Sequence, residues 1–199
     1  MMSQVEDVKL PDWLSTTLAA DALGGAGALP GSILPLRAGR QAAGFATTAG
    51  IAEGDSSAIW EAIRRGPETG TVLVALGSPT DRRAVSGDIV AAWMEAAGFT
   101  AFVTDGLVRD SRELRRLGIE IWCRGVTPLA SSRRTPGTVG APLQAGGVEI
   151  APGDAVIADD DGVVIWPRAR VAELLSAADE RRRRDDERLR RVRSGQAPD

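Results

Sequence analysis

Apolar residues recur along the chain with two different spacings, and the switches between them mark its elements. Leu14, Leu18 and Ala22 fall at i, i+4 and i+8, which predicts a helix over residues 11–23 stopped by Gly24-Gly25, with hydroxyls from Ser15 to Thr17 available for capping. Residues 26–50 are rich in Gly, Ala and Pro and carry short apolar runs at 32–34 and 42–45, so turns joined to short strands are expected there. Asp55-Ser56-Ser57 reads as a helix start leading into residues 58–63, and Gly66-Pro67 as its end. The continuous apolar run over 71–76 reads as a buried strand.

Beyond this point a strand, turn and helix alternate. Ser86-Gly87-Asp88 precedes a helical stripe of Ile89, Ala92, Trp93 and Ala96 that Gly98 closes. A strand over 100–104 follows, then the turn Asp105-Gly106, a helix from about 110 to 117 closed by Gly118, and a strand over 119–123. From Val148 onward, apolar runs at 148–150, 155–158 and 163–166 are separated by Pro152-Gly153 and Asp160-Asp161-Gly162, which predicts a meander of neighbouring antiparallel strands. Residues 168–193 form a helix candidate whose apolar face is Val171, Leu174, Leu175 and Ala178. An alternating first half and a hairpin-rich second half predict a mixed α/β domain rather than a plain doubly wound sheet.

Length and charge narrow this picture. The 199 residues fit one domain, taken as residues 1–180, with a charged helical tail over 181–199. No stretch approaches the roughly 18 apolar residues of a membrane span, and the acidic start carries no targeting pattern, so a cytoplasmic location is expected. A net charge of -3 gives no electrostatic reason to expect nucleic-acid binding. The basic run Arg181 to Arg184 is interleaved with Asp179, Glu180, Asp185, Asp186 and Glu187 and reads as a solvated helix or a subunit contact. Cys123, the single cysteine, sits in an apolar run and is expected to be a buried, inert thiol.

The most restrictive fact is that the chain has no histidine. That removes Ser-His-Asp and Cys-His nucleophiles, His-ligated zinc and the usual near-neutral general base. Chemistry is left to carboxylates, arginines, hydroxyls, backbone amides and an oxygen-ligated hard cation such as Mg²⁺ or Mn²⁺. Schiff-base catalysis is disfavoured because Lys9 is the only lysine and lies near the N-terminus.

Two places hold such groups at helix starts. Gly87-Asp88-Ile89-Val90 opens a helix whose first-turn N–H groups suit a carboxylate or phosphate, although plain helix initiation accounts for the same residues. Residues 104–110 place Arg109 and Asp110 where a strand end turns into a helix; Asp110 with Glu113 also fits a capping box, and Arg109 an ordinary surface arginine. The glycine-rich stretch 24–31 lacks dinucleotide-loop spacing, and Asp159-Asp160-Asp161-Gly162 lacks the ligand spacing of a calcium loop and fits a hairpin turn.

In order along the chain stand Gly87-Asp88, Val103-Thr104-Asp105-Gly106-Leu107-Val108-Arg109-Asp110 with Glu113-Leu114, and Arg124-Gly125-Val126-Thr127-Pro128. Gly146-Gly147-Val148, Pro152-Gly153-Asp154 and Asp159-Asp160-Asp161-Gly162-Val163-Val164 follow. Together these motifs closely resemble the RraA-like family, which contains 4-hydroxy-4-methyl-2-oxoglutarate/4-carboxy-4-hydroxy-2-oxoadipate aldolases and regulators of ribonuclease E. The resemblance implies an α/β/β/α sandwich with mixed sheets of the swivelling type, assembled as a homotrimer or hexamer with sites between subunits. It further implies a metal-dependent retro-aldol cleavage of a small 2-oxo acid that releases pyruvate, with oxaloacetate decarboxylation as a side activity.

By the same resemblance Asp110 binds the divalent cation, Arg109 contacts the 2-oxo oxygen and Asp88 holds a metal-bound water. The amides of Gly87, Asp88, Ile89 and Val90 receive the pyruvyl carboxylate, Asp21 is a nearby acid, and Asp186 completes the site from a neighbouring subunit. The ribonuclease-regulator branch tends to lose the Arg-Asp pair that Arg109 and Asp110 keep here, so an enzyme is expected over a protein-binding regulator. The chain departs from the pattern at Ala75-Leu76-Gly77-Ser78-Pro79 and over residues 24–54, which leaves open a relative acting on another oxo acid.

Overall fold

The computed structural model describes residues 9–197. In chain order its elements begin with α1 (Thr16–Ala22), β1 (Leu34–Pro35), β2 (Ala42–Gly50), α2 (Ser57–Arg65), β3 (Val72–Leu76) and β4 (Ala84–Ser86). Then come α3 (Asp88–Ala96), β5 (Ala101–Thr104), β6 (Leu107–Val108), α4 (Ser111–Leu114), β7 (Glu120–Cys123) and β8 (Gly125–Val126). The last are β9 (Thr138–Val139), β10 (Leu143–Ala145), β11 (Val148–Ile150), β12 (Ala155–Asp159), β13 (Gly162–Trp166) and α5 (Val171–Arg193).

The continuous apolar runs are strands buried on both faces, because alternate side chains enter different cores. In β3, Val72, Val74 and Leu76 point to an inner core, while Leu73 and Ala75 point to a layer shared with Ile59, Met94 and Leu114 of α2, α3 and α4. In β13, Val163 and Ile165 join the inner core, and Val164 and Trp166 meet Leu174 and Ala178 of α5 and Ala19 of α1. The main sheet runs β1-β7-β5-β3-β2-β12-β13, parallel from β7 to β2 and antiparallel beyond.

The sheet nearly closes on itself. Residues 27–29 pair with β13, through Ile165 N–H to the Gly27 carbonyl at 2.8 Å and Leu29 N–H to the Val163 carbonyl at 2.9 Å. The chain then crosses to the opposite edge, where Leu34 and Pro35 of β1 pair with Cys123 and Trp122 of β7. Trp122, fully buried, ties the two halves by donating Nε1–H to the Asp159 carbonyl at 2.8 Å. The result is the expected mixed α/β architecture: two sheet halves face each other over the inner core, with α2, α3 and α4 outside one and α1 and α5 outside the other.

Several elements differ from the sequence expectation. The β2 strand is nine residues long, not four, because its polar positions are satisfied within the fold: the Thr47 and Thr48 hydroxyls donate to the Gly70 and Ala141 carbonyls, each at 2.8 Å. The expected helix over 110–117 is the four-residue α4, and α1 starts only at Thr16, where the Ser15 hydroxyl accepts from Leu18 N–H at 3.3 Å. Strand β11 pairs backwards with β10 instead of forwards with β12. Cys123 is 4% exposed, and burial pushes its thiol pKa up. The mixed charges of α5 form ion pairs along the helix, such as Arg182 with Asp179 at 2.7 Å and Arg181 with Asp185 at 2.9 Å.

Candidate active site

Each of the parallel strands β3, β5 and β7 is followed, after a loop over 77–83 in the first case and a turn of one or two residues in the others, by a strand of a second, smaller sheet, ordered β4-β6-β8. Its strands therefore emerge at the carboxyl ends of the main parallel strands, the side on which open α/β sheets gather ligands. In this sheet Ser86 of β4 stands opposite Val108 of β6, and Arg109 N–H donates to the Ser86 carbonyl at 3.0 Å. Two segments 22 residues apart thus leave the sheet together, Gly87-Asp88 into α3 and Arg109-Asp110 into α4.

Gly87 is where they touch. Its backbone is extended, with φ -143° and ψ -170°, so glycine is not needed for conformation. A Cβ there would stand 2.5 Å from Asp110 Oδ2 and 3.0 Å from Arg109 Cγ, so glycine is needed for space. Asp110 does not cap α4 through its side chain, contrary to the capping-box alternative; its backbone carbonyl instead accepts from the Glu113 and Leu114 amides. The carboxylate faces Arg109, with Nε to Oδ2 at 3.3 Å, and both side chains are partly open to solvent, 40% and 37% exposed.

Asp110 adopts the left-handed conformation, φ 57° and ψ 38°, and among the described residues no other non-glycine has a positive φ. Such a backbone costs about 1 kcal/mol, and strain of this kind concentrates at functional positions. No side chain caps α3 either: Asp88 accepts from the Ile89 amide at 2.7 Å, and the first turn from Gly87 to Val90 lines the same cleft as Arg109.

Gly87 to Val90 and Arg109, the partner of Asp110, line one side of a cleft of about 250 Å³. The opposite side is formed by Trp60 of α2 and by Ser131 and Arg133, which the sequence did not single out. Arg133 comes close because residues 129–130 run along the other edge of β4, with Ala84 N–H donating to the Leu129 carbonyl at 2.8 Å. Its guanidinium lies 4.3 Å above the Trp60 ring, which itself packs at 5.0 Å against Trp93.

Two buried aspartates hold the loops around this cleft. Asp55, 1% exposed, accepts from the amides of Arg134 at 2.6 Å, Thr135 at 3.1 Å and Ser57 at 2.8 Å, and from the Ser132 hydroxyl at 2.7 Å. Burial alone would raise its pKa, but the Arg134 amide and the groups of Ser57 and Ser132 outweigh it and hold the carboxyl well below the usual carboxylate range. Asp105 accepts from Gly77 and Ser78 amides, each at 3.0 Å, and so secures the segment where the chain departs from the family pattern.

The remaining expected site residues lie elsewhere in the chain. Asp21 belongs to α1, in the other helical layer, and pairs with Arg181 at 3.3 Å. Asp186 is on α5 and faces Arg182 at 3.6 Å. One subunit therefore brings together Gly87 to Val90, Arg109 and Asp110, while Asp21 and Asp186 share a different flank. Among the described residues no group of three or more His, Cys, Asp or Glu is placed to hold a metal ion. The Asp159 and Asp160 carboxylates of the β12–β13 turn are engaged with Thr16 and with the Gly39 amide, as befits a hairpin.

Comparison with known proteins decides the relationship: the RraA-like family model, described as Aldolase/RraA, matches residues 16–165. The chain is a member of the RraA-like family. A Halalkalibacterium halodurans protein provisionally named 4-hydroxy-4-methyl-2-oxoglutarate aldolase is 35% identical to this RraA-like chain over 179 residues, spanning 90% of it and 85% of the relative. A Bacillus cereus protein with the same provisional name is 39% identical over 111 residues, 56% of this chain and 69% of that one.

Among solved structures, Streptomyces coelicolor RraAS2, described as an unusual member of the RNase ES inhibitor RraA protein family, superposes with a TM-score of 0.76 at 31% identity. The match covers 89% of this RraA-like chain and 93% of that one. The Thermus RNA-processing inhibitor RraA gives a TM-score of 0.69 at 30% identity over 77% and 93% of the two chains. The nearly closed mixed sheet is the fold these relatives share.

Proposed function

We propose that this RraA-like protein is a divalent-metal-dependent carbon–carbon lyase. It cleaves a 4-hydroxy-2-oxo acid resembling 4-hydroxy-4-methyl-2-oxoglutarate and releases pyruvate. The observation that carries this reading is the Arg109–Asp110 pair, held in a strained turn against Gly87 at the opening of α3. The provisional names of its bacterial relatives point the same way.

The donor set fits a hard cation. Mg²⁺ takes one or two carboxylates and keeps several waters, so an accessible Asp110 with Asp88 nearby suits it without a three-acid cage. Asp110 would hold Mg²⁺ or Mn²⁺, which when bound supplies positive charge that lowers the energy of an oxyanion. The α3 amides from Gly87 to Val90 receive the 1-carboxylate, and Arg109 donates to the 2-oxo oxygen.

In the chemical step the bond between C3 and C4 breaks and its electron pair remains with the pyruvyl fragment as an enolate. The C4 hydroxyl becomes a carbonyl as its proton leaves through a water oriented by Asp88, and the enolate is then protonated to pyruvate. Loss of CO₂ from oxaloacetate gives the same enolate, so decarboxylation accompanies the main activity. Asp21 and Asp186, together on the α1–α5 flank, serve a neighbouring subunit's cleft in a homotrimer or hexamer.

A second reading, a non-catalytic regulator that binds a ribonuclease, is favoured by the descriptions of the RraA structures. One experiment separates the two. Pyruvate release from 4-hydroxy-4-methyl-2-oxoglutarate and from oxaloacetate is measured with Mg²⁺ and with a chelator, for the wild type, Asp110→Ala and Arg109→Ala. The lyase reading expects chelator-sensitive turnover and a loss of about 100-fold or more in each variant while the fold persists. Wild-type turnover in both variants refutes it, and a wild type inert on both acids that binds ribonuclease establishes the regulator.

A further inference from the structure

We propose that Arg133 is a specificity-determining residue: it receives a second carboxylate at the far end of the substrate, so that the cleft selects 2-oxo dicarboxylic acids over their monocarboxylic counterparts. The proposal deepens the lyase reading and rests on it for the orientation of the substrate, whose 2-oxo end lies at Arg109.

The strand β4 is flanked on one edge by β6, which delivers Arg109, and on the other by residues 129–130, which lead into Arg133. Strand neighbours lie about 4.8 Å apart, so the two segments are separated by two spacings, about 10 Å. A five-carbon chain with an acid at each end, plus a hydrogen bond of about 3 Å at each pole, bridges such a gap. Both guanidinia line the same 250 Å³ cleft, a size that suits a small acid rather than a cofactor.

The two arginines differ in their surroundings. Arg109 already faces the Asp110 carboxylate, whereas among the described residues no carboxylate forms an ion pair with Arg133. Its planar face rests on Trp60, and its donor edge is left for a ligand. The position is pre-formed: Asp55 fixes the next two amides, of Arg134 and Thr135, and the Ser131 hydroxyl donates to Ser56 at 3.0 Å. Arg83 and Arg134 line the adjoining opening, so the far pole is basic while the near pole carries Asp88 beside Arg109. Preorganisation of this kind lowers the ordering cost that a flexible surface arginine would impose on binding.

Titration calorimetry in buffer containing Mg²⁺ tests the assignment with two acids of matched shape, 2-oxoglutarate and 2-oxopentanoate, the second lacking the distal carboxylate. The wild type is expected to prefer 2-oxoglutarate by about 10- to 100-fold, the range of one charge-assisted bidentate contact. Arg133→Gln should reduce that preference to about threefold or less without weakening 2-oxopentanoate, and Arg133→Lys should restore part of it. Equal weakening of both acids, an unchanged preference in Arg133→Gln, or no binding of either acid overturns the proposal. Pyruvate release is read in parallel: discrimination without turnover keeps Arg133's role and removes the lyase assignment, while turnover without discrimination does the reverse.

Discussion

Replacing Gly87 with alanine tests the site more cleanly than removing a charged side chain. The glycine backbone is extended and accepts any L-residue, so the substitution adds no conformational strain and slightly rigidifies the unfolded chain. The added Cβ, however, would lie 2.5 Å from Asp110 Oδ2, 3.0 Å from Arg109 Cγ and 3.1 Å from Arg109 Nε. Ordinary contact begins near 3.4 Å, so the carboxylate must retreat by about 1 Å and the guanidinium stem by about 0.4 Å. Both are partly solvent-exposed and can rotate away, which keeps the cost to folding at about 1 kcal/mol or less.

A misplacement of about 1 Å at a reacting centre costs about 100-fold in rate. Gly87→Ala should therefore melt within a few degrees of the wild type while its kcat/KM for pyruvate release, followed through lactate dehydrogenase and NADH absorbance, falls by about two orders of magnitude. Turnover within twofold of the wild type in a well-folded Gly87→Ala protein would show that the contact between the α3 start and the Arg109–Asp110 turn has no part in catalysis.

Other outcomes follow from the same geometry. Asp110→Gly relieves the left-handed backbone at no steric cost, so denaturant unfolding should show stability equal to or up to about 1 kcal/mol above the wild type, with turnover lost; a clear loss of stability contradicts the strain argument. Asp55→Asn replaces an acceptor-only group facing three amides and a hydroxyl, and should cost about 2 kcal/mol at pH 7. Because the folded Asp55 carboxyl titrates below its unfolded value of about 3.9, its contribution is complete above that pH and fades as the pH falls toward the folded value. The stability gap between wild type and Asp55→Asn should narrow between pH 5 and about pH 2 in urea titrations, and a gap independent of pH refutes the assignment.

Local rules made the strands and helices of the middle of the chain legible. An apolar-rich run of four to six residues bounded by turn residues has few structures open to it besides a buried strand, and β3, β5, β7, β12 and β13 lie where such runs predict them. Runs that end in Gly98, Gly66 or Gly24 stop helices because those glycines take positive φ. The β2 strand was half hidden, since Thr47 and Thr48 look polar in the sequence and become core residues only when Gly70 and Ala141 offer their carbonyls.

The site divides in the same way. Arg109, Asp110 and Gly87 were visible because each stands at a strand end or helix start, where backbone groups are left unpaired whatever the rest of the fold does. That Gly87 lacks a side chain so that Asp110 can lie against it was not visible, because the contact exists only once β4 pairs with β6. Arg133 and Trp60 gave no signal: an arginine in an irregular loop and a tryptophan on a helix stripe look ordinary until residues 129–130 dock on β4 and Asp55 fixes the turn. Composition and local pattern thus determined the element types, the absence of histidine chemistry and one pole of the cleft. The far pole was decided by pairing between segments more than 40 residues apart, which no period along the chain encodes.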